Sequence, residues 1–67
     1  MGNQDVTFTY TNYRGEVSTR LVSPLEWYFG KTEFYPDPQW LMRGHDLNKK
    51  AERTFAVKNI KDWDPAP

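Results

Sequence analysis

The feature that most constrains the fold is a strict alternation of apolar and polar residues near the start of the chain. In the stretch VTFTYT, Val6, Phe8 and Tyr10 alternate with three threonines. A period of two residues is typical of a strand with one buried face, and β-branched and aromatic residues suit such a strand. No window with helical spacing persists elsewhere in the 67 residues. The pattern predicts an all-β fold.

Three further segments extend the predicted sheet. A turn that contains Gly15 leads into a second strand over residues 17–22, and Pro24 is expected to end its regular pairing. A third strand is predicted over QWLMRGHD, residues 39–46, where Gly44 would allow another group to approach closely. RTFAVKNI, residues 53–60, is the predicted fourth strand. The order favours about four to five short, bent antiparallel strands in an open sandwich or a small barrel.

The two ends of the chain carry weaker signals. We predict one domain over residues 1–67, with a core over about residues 5–60. In the closing segment, Ile60 and Trp63 are expected to dock on the sheet. Residues 61–67 are otherwise predicted to be a frayed tail, because terminal residues order only when something holds them.

The segment PLEWYFGKTEFYPDP, residues 24–38, is rich in aromatic residues. It holds five of them, interrupted by Gly30, Pro36 and Pro38. A fully solvated loop does not usually carry such a load. We therefore expect much of this segment to pack over the sheet.

Composition limits both the means of stabilisation and the function classes. Without cysteine there are no disulfides, and with His45 as the only histidine a zinc site is not expected. Nine Lys and Arg residues balance nine Asp and Glu residues, so the charge of a non-specific nucleic-acid binder is missing. Anion binding must come from local charge arrangement. A fold this small relies on large core residues, here 16% aromatic, or on self-association.

Catalytic and membrane functions find no support in the residue types. One histidine, no cysteine and no serine in a nucleophile elbow leave no catalytic triad. We expect no enzyme activity and no cofactor. No run of 18 apolar residues could span a membrane, and the first residues lack the regions of a secretory signal. A cytoplasmic, bacterial protein is the default expectation.

Three stretches, in order, carry a resemblance to a known family. VTFTYTNYRGEVSTRLVSPLEW has a strand, a Gly-containing turn, an Arg-bearing strand, then Pro and a bulky residue. QWLMRGHD and ERTFAVKNI follow it. The whole, about residues 5–60, resembles the WYL domain family. QWLMRGHD lies where that family has its Trp-Tyr-Leu motif, although Leu41 replaces the Tyr and Met42 replaces the Leu.

The resemblance implies both a fold and a role. It implies an SH3-like or Sm-like barrel, and a sensor of nucleotides or short single-stranded nucleic acid in transcriptional or defence regulation. WYL domains usually follow a DNA-binding winged helix. Only about five residues precede the first predicted strand, so we expect a stand-alone WYL-like protein or a sensor separated from its DNA-binding domain.

Five side chains are candidates for ligand binding. Arg20 is either a phosphate-binding arm or a solvated strand residue paired with a glutamate. Arg53, which matches an arginine of the family, is either an anion clamp or a guanidinium stacked on an aromatic ring. Arg43 and His45 could join them in one basic face, or could be an ordinary exposed pair. Trp40 is expected in the core more than as a platform for a base.

The aromatic segment supports an alternative of another class, a protein-interaction or oligomerisation module. Small barrels can join edge to edge, or can bind a peptide in an aromatic groove. A homo-oligomer or a protein partner would then contact the exposed aromatic side chains. The residues predicted for this partner surface are Trp27, Tyr28, Phe34 and Tyr35.

Overall fold

A computed structural model describes residues 5–66, which form one five-stranded antiparallel sheet. The elements are β1 (Val6–Thr11), β2 (Val17–Gly30), β3 (Gln39–Asp46), β4 (Ala51–Ala56), a 3₁₀ turn (Val57–Asn59) and β5 (Ile60–Pro65). The strand order is β4-β3-β2-β1-β5. The all-β prediction is confirmed. The edge strands β4 and β5 do not pair within residues 5–66, so the sheet is not closed into a barrel there. No helix in this range is long and apolar enough to cross a membrane.

The alternation in β1 builds the core as predicted. Val6, Phe8 and Tyr10 are buried, and the residues between them are half-buried. The ring of Phe55 on β4 meets Phe8 and Tyr10 edge-on, with centroid separations of 5.2 and 4.9 Å. The first and fourth strands are therefore joined by side chains although they are not neighbours in the sheet.

The second strand is much longer than predicted. β2 runs from Val17 to Gly30, so the expectation that pairing ends near Pro24 is wrong. The register between β2 and β3 shifts between Pro24 and Glu26. A bulge of this kind accommodates a residue that has no N–H to donate, and it bends the strand. Pro24 thus turns β2 and does not stop it.

The third strand has the predicted bounds, and its glycine is required by packing. A Cβ atom on Gly44 would lie 2.5 Å from Cγ1 of Val22 and 3.2 Å from the carbonyl oxygen of Ser23. Real Cβ atoms do not approach so closely, and Val22 is fully buried. The prediction of a close approach at Gly44 is confirmed.

The end of the chain differs from the prediction. The fourth strand ends at Ala56, after which a 3₁₀ turn leads into β5. β5 pairs with β1, although residues 61–67 were expected to fray. The reason is the docking of Trp63, whose ring stacks on Phe8 at 5.6 Å and 4° and holds the strand on the sheet. Residues 1–4 and Pro67 lie outside the described residues.

The connection between β2 and β3, residues 31–38, folds back over the sheet. The Oγ1 atom of Thr32 accepts hydrogen bonds from the backbone N–H groups of Phe34 and Tyr35, which tightens the turn. The ring of Phe34 stacks on Tyr13 at 4.6 Å. The expected packing of the aromatic segment is therefore confirmed for Tyr35, which is half-buried. It is wrong for Trp27, Phe29 and Phe34, each of which remains at least half exposed.

Candidate functional site

A cavity of about 580 Å³ lies between the sheet and the 31–38 connection. β1, β2 and β4 contribute its sheet side, and the connection and the β1–β2 turn contribute the rest. Its lining includes two of the predicted ligand residues, Arg20 and Arg53, together with five aromatic side chains. The aromatic residues are Tyr10, Tyr13, Phe34, Tyr35 and Phe55.

A pair of tyrosine hydroxyls fastens the connection to the sheet. The hydroxyls of Tyr10 and Tyr35 are 2.7 Å apart. The Tyr10 oxygen also accepts a hydrogen bond of 2.8 Å from the backbone N–H of Ala56. Tyr10 is 3% exposed, so this contact fixes the connection from inside the core.

Stability is expected to fall steeply in alkali because of this tyrosine. Burial, and then the hydrogen bond with Tyr35, raise the pKa of Tyr10 above its ordinary value. The folded state therefore holds this proton more tightly than the unfolded chain. Its contribution is complete below about pH 10, the ordinary pKa of tyrosine, and is lost as the pH rises towards the folded value.

Urea unfolding of the wild type and of Tyr10→Phe between about pH 8 and pH 11 measures this effect, since tyrosine ordinarily titrates near pH 10. Tyr10→Phe is less stable at the lower pH, because the N–H of Ala56 loses its acceptor. Its stability should then decline less with pH than that of the wild type. Parallel curves would show that Tyr10 does not carry the alkaline loss.

Arg20 is half-buried at the cavity and has a fixed counter-ion. Its Nη1 atom lies 3.2 Å from Oδ2 of Asp46, and its Nε donates a hydrogen bond of 2.9 Å to Oγ of Ser18. The guanidinium also lies 5.8 Å from the ring centroids of Tyr10 and of Phe55. The alternative of a pairing with a glutamate is therefore wrong about the partner residue. Arg20 is paired with an aspartate and still lines the cavity.

Asp46 holds Arg20 in place and was not identified from the sequence. It is 1% exposed, and it ends β3. Its Oδ1 atom accepts hydrogen bonds from the backbone N–H groups of Asn48 and Lys49, at 3.1 and 3.0 Å. An aspartate at the first position of a polar turn commonly makes such bonds, which was the available signal. Nothing in the sequence indicated that its second oxygen would face Arg20.

Arg53 is the less restrained cation of the cavity. It is exposed on β4, opposite Gly44 on β3, and so on the same face of the sheet as Met42 and Phe55. It makes no ion pair with any of residues 5–66. Its guanidinium therefore remains available to an anionic ligand.

Arg43 and His45 lie on the other face of the sheet, so the predicted four-residue basic face is wrong. The core face of β3 carries Met42 and Asp46, and a period of two residues places Arg43 and His45 on the opposite face. Arg43 is held there by Glu26 at 2.8 Å and by Glu52 at 2.9 Å. Arg43 is therefore engaged in two ion pairs at the surface, which the sequence analysis did not predict.

Trp40 is outside both the core and the cavity, so the expectation of a core residue is wrong. It is 58% exposed, and its ring meets that of Phe29 edge-on at 5.6 Å. β4 pairs with β3 only from Leu41 onward. Trp40 therefore projects beyond the part of the sheet that Phe55 covers.

The four residues predicted as a partner surface are divided among different places. Trp27 packs against Trp63 at 5.5 Å. Tyr28 is the next residue of the strand and points to the opposite face. Phe34 lies at the cavity rim, and the hydroxyl of Tyr35 contacts the hydroxyl of Tyr10. They do not form one surface as a set.

The charges at the cavity nearly balance. Glu33 lines it together with Arg20 and Arg53, and Arg20 is already compensated by Asp46. Glu52 also lines it, but its carboxylate is bound by Arg43. No group of three or more His, Asp or Glu side chains in the described part of the chain is placed to hold a metal ion. The arrangement suits a ligand with one flat ring and a small negative charge.

Comparison with known proteins gives one positive result. The sequence model of the WYL domain matches residues 1–65 of the 67-residue chain. Neither a curated protein nor a solved structure matches significantly.

Proposed function

The chain belongs to the WYL domain family, a family of regulatory, sensor-type domains, and we propose that it binds a nucleotide or a short single-stranded nucleic acid. The observation that carries this proposal is the presence of Arg20 and Arg53 at one aromatic-lined cavity. Arginine forms charge-assisted, forked hydrogen bonds with phosphate oxygens. Binding sites for small molecules typically have volumes of about 300–1,000 Å³, a range that includes this cavity.

The cavity offers a different contact for each part of such a ligand. Arg53 binds the phosphate, because it makes no ion pair with any of the described residues. The stacked rings of Tyr13 and Phe34 at the rim provide a surface for a base, and stacking of this kind tolerates any base. Arg20, 5.8 Å from the ring centroids of Tyr10 and of Phe55, contributes a second cation whose position is fixed by Asp46.

The carboxylate of Glu33 at the cavity favours ligands of low charge. It would repel the additional negative groups of a triphosphate, whereas the carboxylate of Glu52 is bound by Arg43. A mononucleotide or one phosphodiester of a single strand brings fewer charges to the same place. We expect the ligand to be bound without being chemically changed, and the binding to serve transcriptional or defence regulation.

We also propose that the sheet approaches an SH3-like barrel. The bulge after Pro24 bends β2, and the contact between Trp27 and Trp63 brings the second half of β2 towards β5. β2 and β5 are not neighbours in the strand order. A strongly bent sheet whose distant strands meet through side chains has the shape that such a barrel requires.

Arg53→Ala is expected to weaken ligand binding by about 10- to 100-fold, since a hydrogen bond to a charged group contributes about 1.5–3 kcal/mol. NMR titration with adenosine monophosphate and with a short oligothymidylate, at low and at physiological salt, measures the Kd. Arg43→Ala is the matched control, because it removes the same side chain from the opposite face. Signals of residues around the cavity should shift, and binding should weaken as salt rises.

Two results would contradict the proposal. One is an equal loss in Arg43→Ala and Arg53→Ala, which would place binding elsewhere or make it non-specific. The other is an absence of shifts at the cavity at low salt with both ligands.

A further inference from the structure

An exposed patch of four aromatic side chains lies away from the cavity. Trp27 and Phe29 are two residues apart on β2, Trp40 is the partner of Phe29 on β3, and Trp63 packs against Trp27. They are 50%, 59%, 58% and 40% exposed, respectively. We call these four residues the aromatic patch. None of them lines the cavity.

The patch adjoins main chain that has no strand beside it. β1 pairs with β2 only over residues 17–22, whereas β3 continues alongside β2 to Gly30. Beyond the β1 pairing, the side of β2 that faces away from β3 is therefore unpaired among the described residues. Natural sheets usually protect such edges with charged side chains, prolines or bulges. Pro24 and the bulge protect the start of this edge, but from Trp27 to Gly30 it carries no charged residue and no proline.

We propose that the aromatic patch and this edge of β2 are the interface with a second copy of the same chain. Antiparallel pairing of β2 with its own copy is self-complementary, so a two-fold axis closes the assembly at two chains. This dimer would bring aromatic side chains into contact without burying an unpaired charge. The carboxylate of Glu26 is already bound by Arg43 on the other face of the sheet.

The area and the composition both favour a second copy as the occupant. At roughly 150–250 Å² for each aromatic side chain, the half-exposed patch offers on the order of 400 Å² of apolar surface. Two patches with their strand edges approach the roughly 1,000 Å² of a specific interface. Eight apolar residues are buried in the described chain and eight large apolar residues are exposed. A core so small commonly depends on association.

Sedimentation velocity from about 10 μM to 1 mM protein tests the proposal, a range that brackets the Kd expected of a modest interface. The wild type should shift with concentration from the 8.0 kDa chain to a species of twice that mass. Phe29→Lys should raise the dimer Kd at least tenfold, because it puts a charge on the edge without touching the buried core. Val17→Lys is the matched control. It adds the same charge to the same strand at a residue that is 65% exposed, and it should leave the Kd unchanged.

Each alternative result overturns the proposal. A wild type that stays monomeric at the highest concentration excludes a second copy and leaves an extended segment of another protein as the occupant to seek. A dimer that survives Phe29→Lys uses another surface. Equal losses in Phe29→Lys and Val17→Lys show association sensitive only to net charge. Ligand binding at the cavity can succeed or fail independently, because no residue is shared.

Discussion

Phe55→Ala is expected to leave the chain largely unfolded at 25 °C. Phe55 is 2% exposed and lies where the ring of Phe8, the ring of Tyr10 and the guanidinium of Arg20 meet. Removal of a buried Phe side chain typically costs about 3–5 kcal/mol, from the lost burial and the cavity that remains. At roughly 0.05–0.15 kcal/mol per residue, a fold of this length has about 3–10 kcal/mol of stability, and a domain so small lies near the low end.

The measurement is urea unfolding followed by far-UV circular dichroism, with the NMR amide dispersion as a second probe. Phe34→Ala is the control, since Phe34 is 51% exposed at the cavity rim. It should lose about 1 kcal/mol or less, the value of one partly exposed aromatic pair. If Phe55→Ala loses less than about 1.5 kcal/mol, the surrounding side chains collapse into the space, and the core is less tightly packed than the ring distances indicate.

The strands were predictable where one physical rule determines them. In β1 every second residue is apolar, so the pattern specified both the bounds and the buried face. In β3 the bounds were also correct, but the position of Trp40 was not. The exposure of Trp40 depends on where β4 ends. The residues of β3 do not determine how far the neighbouring strand pairs with it. Tertiary context decides burial at the end of a strand.

The length of β2 was not predictable from local signals. Pro24 usually ends pairing, but a bulge admits a proline, and the bulge forms only when β3 is present as a partner. The order of the last residues also depends on a contact with another part of the chain. Trp63 was expected to dock, and the pairing of β5 with β1 follows from that docking.

The candidate site was predictable in its cations and not in their arrangement. The resemblance singled out Arg20 and Arg53, and the structure brings both to the cavity. Arg43 and His45 were added because they alternate on one face of β3. Alternation says that two residues share a face but does not say which face, and the choice requires knowing where Met42 and Asp46 are buried. Asp46 and the pair of hydroxyls needed the three-dimensional structure.

Asp46→Ala is expected to lower the free energy of unfolding by about 2–4 kcal/mol. Breaking a buried ion pair typically costs about 3–5 kcal/mol, because it leaves one charge without compensation. The value is smaller here because the Arg20 side chain is 17% exposed, so water can reach its guanidinium. The N–H groups of Asn48 and Lys49 also lose their acceptor, which adds to the loss. Urea unfolding at neutral pH measures the change.

One variant separates the hydrogen bonds of Asp46 in the turn from its ion pair with Arg20, and a second variant is the control. Asp46→Asn keeps an oxygen for the turn and removes the negative charge, so it should lose about 1–2 kcal/mol, less than Asp46→Ala. Asp37→Ala removes an exposed aspartate and should change stability by no more than about 0.5 kcal/mol. Equal losses in Asp46→Ala and Asp46→Asn would assign the whole effect to the ion pair.

The same asparagine variant connects stability with binding. With its carboxylate partner neutralised, Arg20 has more positive potential to offer an anion in the cavity, so a phosphate ligand should bind more tightly to Asp46→Asn than to the wild type at low salt. The gain should disappear as salt rises, as it does for a contact with phosphate. An unchanged or weaker affinity in a folded Asp46→Asn protein would mean that Arg20 belongs to the core, with Arg53 alone left to contact the phosphate.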